Sequence, residues 1–215
     1  NHKRVVGVSG DVRPSSSSLL DNLIKGLLSV GVKVVNFDKL PTPLSYYSLH
    51  NQKLDVEAAI QITGSHNPSE YNGFKLTFDK KPFYGDDIQL LYKIITNKDY
   101  LQGDGELITY DIISDYFKMI QEKININRKL KIAMDCGNAA GAIVAPSLYK
   151  NFNIDLYELY CDIDGTFPNH HPDPTVDSNL ADLQKFVINN NCDAGIAFDG
   201  DADRIVAIDE NGQII

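Results

Sequence analysis

Residues 62–75 read ITGSHNPSEYNGFK, and this polar segment separates two runs, 58–62 and 74–78, that are typical of β-strands. Gly64 lets the backbone turn or be approached closely, and Pro68 fixes φ and prevents a helix from beginning there. Asn72-Gly73 favours a turn back into the second strand. The segment therefore predicts a short, stiff loop between two strands, with Ser65 on it.

This loop concentrates side chains that could carry chemistry. Ser65 is a candidate nucleophile, His66 and Asn67 follow it directly, and Lys75 lies close enough to reach back over the loop beside His66. A serine and a histidine in a turn more often serve only the turn. Four such residues within eleven favour a functional role, because loops held by strands usually carry function.

Strand and helix patterns alternate through the first hundred residues. Strands at 5–8 and 33–37 flank a helix over 15–30, and a short helix over 41–49 precedes the strand 58–62. A further helix over 86–96 follows a turn at 79–82 and would carry Ile88, Leu91 and Ile95 on one side. The βαβ order predicts parallel strands whose loops share one sheet edge, where Arg13 and Ser65 could meet. Arg13 is then either a phosphate contact or a solvated loop charge.

A second unit repeats this alternation after a boundary near Tyr110. A helix over 111–123 leads into strands at 131–134 and 155–160, a helix over 179–190, and strands at 194–198 and 205–208. We predict an α/β fold of two consecutive domains, 1–110 and 111–215, each a mixed, largely parallel sheet flanked by helices. Both ends are expected to be cut, because the chain opens within a strand pattern and closes within a hairpin pattern.

The second decisive segment is residues 199–204, DGDADR, a tight loop between two apolar strands. Its spacing lets Asp199, Asp201 and Asp203 converge on one cation, and three like charges this close would repel strongly without one. Carboxylate ligands select Mg²⁺ or Ca²⁺ over Zn²⁺. An EF-hand calcium loop would need Gly where Arg204 stands and helices where strands are predicted, so Mg²⁺ is the expected ion.

The adjacent pair His170 and His171 does not predict a second metal site. Neighbours in an extended loop point apart, and neither Cys nor carboxylate lies at ligand spacing from them. The three cysteines, Cys136, Cys161 and Cys192, also lack metal-type spacing and are expected to be small buried side chains in a reducing compartment.

Composition limits the partners. The net charge of -9 and the absence of a run of Lys and Arg argue against nucleic acid. No segment has the length of a membrane-spanning helix, and no basic stretch followed by an apolar run marks a signal peptide. We therefore expect a cytoplasmic protein that binds neither nucleic acid nor membrane.

Several of these segments resemble the α-D-phosphohexomutases, most closely the bacterial phosphomannomutase/phosphoglucomutase members. The resemblance rests on TGSHNP at 63–68, GDVR at 10–13, PTP at 41–43, FPNHHPDP at 167–174 and the acidic loop, in which Ala202 stands where many members have Gly. It implies that residues 1–110 are domain I, truncated at its N-terminus, and residues 111–215 are domain II, truncated at its C-terminus. The two further domains of the family are not found in this sequence.

The resemblance implies a reaction and a set of roles. Mannose or glucose 1-phosphate and 6-phosphate would be interconverted through a phosphoserine at Ser65 and a hexose 1,6-bisphosphate, with Mg²⁺ as cofactor. The implied catalytic residues are Ser65, His66, Lys75 and Arg204; the substrate-binding residues are Arg13 and Asn67; the metal ligands are Ser65, Asp199, Asp201 and Asp203.

Two other functions stay open at this point. The chain is either an inactive remnant or a split subunit that needs a partner, such as the missing C-terminal domains as a separate chain, to bind the phosphorylated hexose. A metal-dependent phosphatase with a serine nucleophile is the second alternative, and five scattered histidines argue against it.

Overall fold

The computed structural model describes residues 4–215, and its first sheet has six strands. The strands are β1 (Val5–Gly10), β2 (Lys33–Lys39), β3 (Ala58–Ile62), β4 (Phe74–Phe78), β5 (Lys81–Pro82) and β6 (Glu106–Thr109), in the order β5-β4-β3-β1-β2-β6. The four strands β3, β1, β2 and β6 run parallel, and β4 and β5 pair antiparallel at one edge. This arrangement places the loops after β1 and β3 side by side.

Three helices belong to this sheet: α1 (Ser16–Ser29), α2 (Thr42–Ser48) and α3 (Asp86–Asn97). One side of α1 packs on the sheet, because Leu20 and Ile24 are buried in one cluster with Val8 and Val34. The apolar side expected for α3 is not buried: no residue of α3 lies in the core formed by residues 4–215, and Ile95 is 58% exposed.

The second sheet has four strands in the order β10-β9-β7-β8. The elements that follow the first sheet in the chain are α4 (Ile112–Lys123), β7 (Leu130–Asp135), α5 (Ala145–Tyr149), β8 (Ile154–Leu159), α6 (Ala181–Asn190), β9 (Ala194–Phe198) and β10 (Ile205–Ile208). β7 pairs parallel with β8 and β9, whereas β10 pairs antiparallel with β9. The predicted fold class, two largely parallel mixed sheets flanked by helices, is confirmed.

The prediction for one short strand and one helix start differs from the structure. Residues 81–82 were expected to lie in a turn and form the edge strand β5, and residues 106–109, which had no predicted element, form the edge strand β6. Strands of two and four residues are too brief to show an alternating pattern. The helix predicted over 179–190 begins at Ala181, after a 3₁₀ turn over 177–180, and a second 3₁₀ turn, over 140–143, follows β7.

A shared apolar cluster joins the two units. Leu44 of α2 and Leu49, directly after α2, are buried in one cluster. The same cluster contains Ile112 of α4 and Leu148 of α5. Partly buried side chains of α4 complete this cluster. The cluster therefore packs α2 and α4 against α5.

One negative finding concerns membranes. Within the described range 4–215, every helix is too short or too polar to cross a bilayer.

Candidate active site

The loop after β3 holds Ser65 in a constrained conformation. Ser65 has φ of 50°, the left-handed region that a residue with a side chain adopts at a cost of roughly 1–2 kcal/mol. The backbone N–H of Ser65 donates to Thr63 Oγ1 at 2.8 Å. Gly64 is packed so closely that a Cβ there would lie 2.6 Å from Arg13 Cζ. Such strained positions cluster at functional sites, which is consistent with the predicted role of Ser65.

Arg13 lies beneath this loop and is 1% exposed. Its Nη2 donates to the carbonyl oxygens of Ser65 at 2.6 Å and Asn67 at 2.8 Å. Its Nη1 donates to the carbonyls of Pro68 and Tyr71, and its Nε donates to Asp11 Oδ2 at 2.9 Å. All five guanidinium N–H groups are therefore engaged.

The two residues predicted to bind substrate differ in exposure. Asn67 is exposed beside Ser65, and its side chain donates to the Gly64 carbonyl at 2.9 Å. Contact between Arg13 and a substrate phosphate stays a prediction, and it would require one of the guanidinium bonds to break. The structure thus gives Arg13 a place under the loop and not on its open face.

The acidic loop between β9 and β10 curls around one carboxylate. Asp199 Oδ1 accepts from the backbone N–H groups of Asp203 and Arg204, both at 3.1 Å. Ala202 has φ of 56°, a left-handed backbone conformation that glycine adopts more readily than alanine. Gly200 faces the serine loop, where a Cβ would lie 2.2 Å from the Ser65 carbonyl oxygen.

The serine loop and the acidic loop meet, although they are far apart in sequence. Ser65 Oγ donates to Asp199 Oδ2 at 3.1 Å and accepts from Arg204 Nη2 at 2.9 Å. His66 Nδ1 lies 3.5 Å from Ser65 Oγ and also accepts from Arg204 Nη2. Arg204 Nη2 thus lies within hydrogen-bond distance of three acceptors, Ser65 Oγ, His66 Nδ1 and Asp199 Oδ2.

The three aspartates of the acidic loop are close enough to hold a metal ion. One ligand oxygen from each of Asp199, Asp201 and Asp203 lies within 4.8 Å of the others, and the first two side chains are fully buried. Asp201 Oδ1 is buried and has no hydrogen-bond partner among residues 4–215. Buried polar atoms are normally paired, so this oxygen fits a ligand to a hard divalent cation.

Two residues from the first unit contact the other oxygen of Asp201. Lys75 Nζ lies 2.5 Å from Asp201 Oδ2 and 2.6 Å from Asp203 Oδ2. The Thr42 hydroxyl donates to Asp201 Oδ2, and the Thr42 backbone N–H donates to the Asp201 carbonyl at 2.9 Å. Thr42 was not among the predicted site residues. The PTP sequence around it was the only signal, and its function depends on packing between the units.

Burial and neighbouring charges shift the pKa values of Lys75, Asp199 and Asp201. Burial alone would lower the pKa of Lys75, but its bonds to Asp201 and Asp203 outweigh burial and raise that pKa. Burial would raise the pKa of Asp201, but bonds from Lys75 and Thr42 lower it. Burial and the neighbouring Asp201 charge raise the pKa of Asp199. Lys75 is therefore an ammonium in this conformation.

His170 lies in a separate contact. Its Nε2 is 2.9 Å from Asp135 Oδ2, and the ring packs edge-on against Tyr160 at 5.3 Å. That His170 and His171 bind no metal stays a prediction. The three cysteines, all within residues 4–215, are free thiols, and Cys136 and Cys192 are buried.

The fold and the site together define a class of protein: two joined α/β units that bring a serine hydroxyl to a carboxylate triplet suited to a divalent cation. Comparison with known families narrows this class to one family. Residues 1–102 match the family model described as phosphoglucomutase/phosphomannomutase, alpha/beta/alpha domain I, and residues 114–212 match domain II of the same family. The chain belongs to the phosphoglucomutase/phosphomannomutase family.

Individual relatives agree with this assignment. The chain is 39% identical over 210 residues to the phosphomannomutase/phosphoglucomutase of Pseudomonas aeruginosa. The match covers 98% of this chain and 45% of the relative. It is 38% identical over 212 residues to the phosphoglucomutase of Neisseria meningitidis, covering 98% of this chain and 46% of the relative. A crystal structure of a phosphoglucomutase/phosphomannomutase family protein from Burkholderia thailandensis superposes with a TM-score of 0.94 at 39% identity, covering 99% of this chain and 48% of the other. The chain thus spans about half the length of these relatives.

Proposed function

We propose that the chain supplies the phosphoryl-transfer half of a phosphohexomutase that interconverts the 1-phosphate and 6-phosphate of mannose or glucose. The observation that carries the proposal is the position of Ser65 Oγ, 3.1 Å from Asp199 Oδ2 and 2.9 Å from Arg204 Nη2. A phosphoryl group on Ser65 would carry between one and two negative charges, which need cations beside them.

The three aspartates would hold Mg²⁺, with Ser65 or its phosphoryl group as a fourth ligand. The resulting positive charge would offset the negative charge of the phosphoryl oxygens during transfer. Oxygen ligands and the unpaired Asp201 Oδ1 fit this ion.

Each predicted catalytic side chain has a task in the transfer. The bond from phosphorus to Ser65 Oγ breaks as a bond forms from phosphorus to a sugar hydroxyl, whose proton leaves to a base. Arg204 would donate to a phosphoryl oxygen. His66 and Lys75 are the candidates for proton transfer or charge stabilisation, and the raised pKa of Lys75 favours stabilisation in this conformation. Repetition in reverse, after the bisphosphate turns around, would restore the phosphoserine.

Transfer of phosphate to Ser65 is the direct test. The chain with Mg²⁺ is incubated with ³²P-labelled glucose 1,6-bisphosphate, and protein-bound label is measured. Label on the wild-type chain and none on Ser65→Ala supports the proposal. The variant keeps a Cβ and therefore the same backbone strain, so Ser65→Ala removes only the hydroxyl. Label that persists in Ser65→Ala would refute the role of Ser65.

We further propose that complete turnover needs sugar- and phosphate-binding domains such as the longer relatives possess. The purified chain is mixed with a separately expressed C-terminal half of a relative, and conversion of glucose 1-phosphate is assayed. Recovered activity would indicate a split enzyme. No activity in the mixture, with no label on Ser65, would favour the inactive remnant.

A further inference from the structure

Arg13 occupies an unusual place for an arginine. Arg13 is the largest fully buried side chain among residues 4–215. Its Cζ lies 5.2 Å from the ring centroid of Phe167 in the second unit. The guanidinium is therefore enclosed between the serine loop on one side and an aromatic ring on the other. A buried cation in such a place needs a specific reason.

The reason lies in the carbonyl groups of the serine loop. The tight turn directs the carbonyl oxygens of Ser65, Asn67, Pro68 and Tyr71 towards one point beneath it, and each accepts from a terminal nitrogen of Arg13. Only a planar fork with four terminal N–H groups can bind all four carbonyls at once. A lysine has three donors on one atom and cannot reproduce this pattern.

Asp11 completes the arrangement from the loop after β1. Its Oδ2 accepts from Arg13 Nε at 2.9 Å and from Thr63 Oγ1 at 2.8 Å, and its Oδ1 accepts from the Arg13 backbone N–H at 3.1 Å. The carboxylate neutralises the buried guanidinium and also binds the start of the serine loop. Arg13 and Asp11 together form a fixed floor under Ser65.

We propose that Arg13 is a positioning residue, which fixes the serine loop, keeps Ser65 in its left-handed conformation and so directs Ser65 Oγ at Asp199. The part of this proposal that concerns phosphoryl transfer rests on the proposed function; the part that concerns loop conformation does not. Arg13 acts through backbone carbonyls and so through the geometry of Ser65.

The first experiment measures loop order without any assay of activity. Amide hydrogen exchange is followed at Ser65, Asn67 and Tyr71 in wild type and Arg13→Lys. The matched control is Arg4→Lys. Arg4 is exposed, lies directly before β1 and forms an ion pair with Glu57. We expect exchange of these amides in Arg13→Lys to be at least about tenfold faster, because losing even one charge-assisted bond permits that change. The control should match wild type.

The second experiment measures the consequence at Ser65. Label transfer from ³²P-glucose 1,6-bisphosphate to Arg13→Lys should fall on the order of 100-fold, whereas Mg²⁺ affinity measured by calorimetry should stay within about twofold of wild type. A lysine keeps the positive charge, so a role of charge alone would leave labelling near the wild-type rate. In Arg13→Ala, added methylguanidinium should restore part of the labelling.

The outcomes separate the two proposals. Wild-type exchange rates in Arg13→Lys would overturn the positioning role whatever the labelling result. Fast exchange with no label on the wild-type chain would leave Arg13 supported and the proposed function refuted. If Arg13→Ala fails to fold, the lysine variant and its exchange rates still decide the matter, because its side chain fills the same space.

Discussion

Gly64 leaves no room for a side chain, and this makes it a sharp test of the serine loop. A Cβ at residue 64 would lie 2.6 Å from Arg13 Cζ and 2.8 Å from the Tyr71 carbonyl oxygen. We expect Gly64→Ala to destabilise the protein by roughly 1–3 kcal/mol, because an added methyl group in a filled interior forces its neighbours to shift. Urea unfolding followed by circular dichroism measures the change.

Gly26 provides the matched control. It lies on the exposed face of α1, where a Cβ would have no atom within 4 Å, so Gly26→Ala should stabilise the helix by about 0.5–1 kcal/mol. Equal effects of the two substitutions would contradict the packing described at the serine loop.

Thr42 is a second residue whose effect can be isolated. The Thr42 hydroxyl donates to Asp201 Oδ2, whereas the other oxygen, Oδ1, has no partner among residues 4–215. This bond orients the Asp201 carboxylate. Thr42→Val should raise the dissociation constant for Mg²⁺ about tenfold, because partners of metal ligands fix the orientation of those ligands. Isothermal titration calorimetry measures the constant, and Thr42→Ser, which keeps the hydroxyl, should bind as wild type does. An unchanged constant for the valine variant would remove Thr42 from the site.

At the scale of elements, the loop after β8 is fixed by an ion pair whose strength depends on pH. Burial would lower the pKa of His170, but Asp135, at the end of β7, outweighs burial and raises that pKa above its ordinary value of 6.5. A raised pKa in the folded state means that protonated His170 stabilises the fold. This contribution is complete below pH 6.5 and is lost as the pH rises through the folded pKa.

The prediction is a pH-dependent difference in stability. His170→Gln should lower the free energy of unfolding more at pH 5.5 than at pH 8.5, measured by urea titration at both values. His50→Gln is the control, because His50 is an exposed histidine in another part of the chain. A larger loss at pH 8.5 would show that His170 is neutral in the folded protein.

The sequence predicted some elements residue for residue and missed others for a physical reason. β3, β4, β9 and β10 have the predicted bounds, because each is framed by turn residues or by a polar loop. β6 escaped prediction because it is a four-residue edge strand with most of its side chains exposed. The spacing of apolar residues predicted an apolar side for α3. Such spacing does not predict whether another element covers that side, and in α3 that side is not buried.

The candidate site could be predicted only in its parts. The serine loop and the acidic loop were each evident from local residue types, but their contact depends on how two units pack. The same limit applies to Thr42, and to Arg13, whose burial follows from a loop that folds over it. A residue that bonds backbone carbonyls leaves no signature in residue type.

At the scale of the whole molecule, the shared apolar cluster should make the two units unfold together. Leu148 of α5 is buried in the same cluster as Leu44 of α2. Leu148→Ala should cost about 2–5 kcal/mol, because it removes buried methyl groups and leaves a cavity. Hydrogen exchange in both sheets should accelerate together. Ile188→Ala, at a residue 52% exposed, should change little. Faster exchange in the second sheet alone would show that the units unfold independently.

The contact between Gly200 and the Ser65 carbonyl has a consequence for ion choice. A Cβ added to Gly200 would lie 2.2 Å from the Ser65 carbonyl oxygen, so the two main chains are in close contact and resist any closer approach of the two loops. Mg²⁺ takes oxygen ligands at about 2.0–2.1 Å, whereas Ca²⁺ takes them at about 2.3–2.6 Å and needs more of them. Close backbone contact opposes the shorter distances that the smaller ion requires. Any preference for Mg²⁺ over Ca²⁺ would therefore come from the small number of protein ligands, and the two backbones would set how far the loops can tighten around the ion.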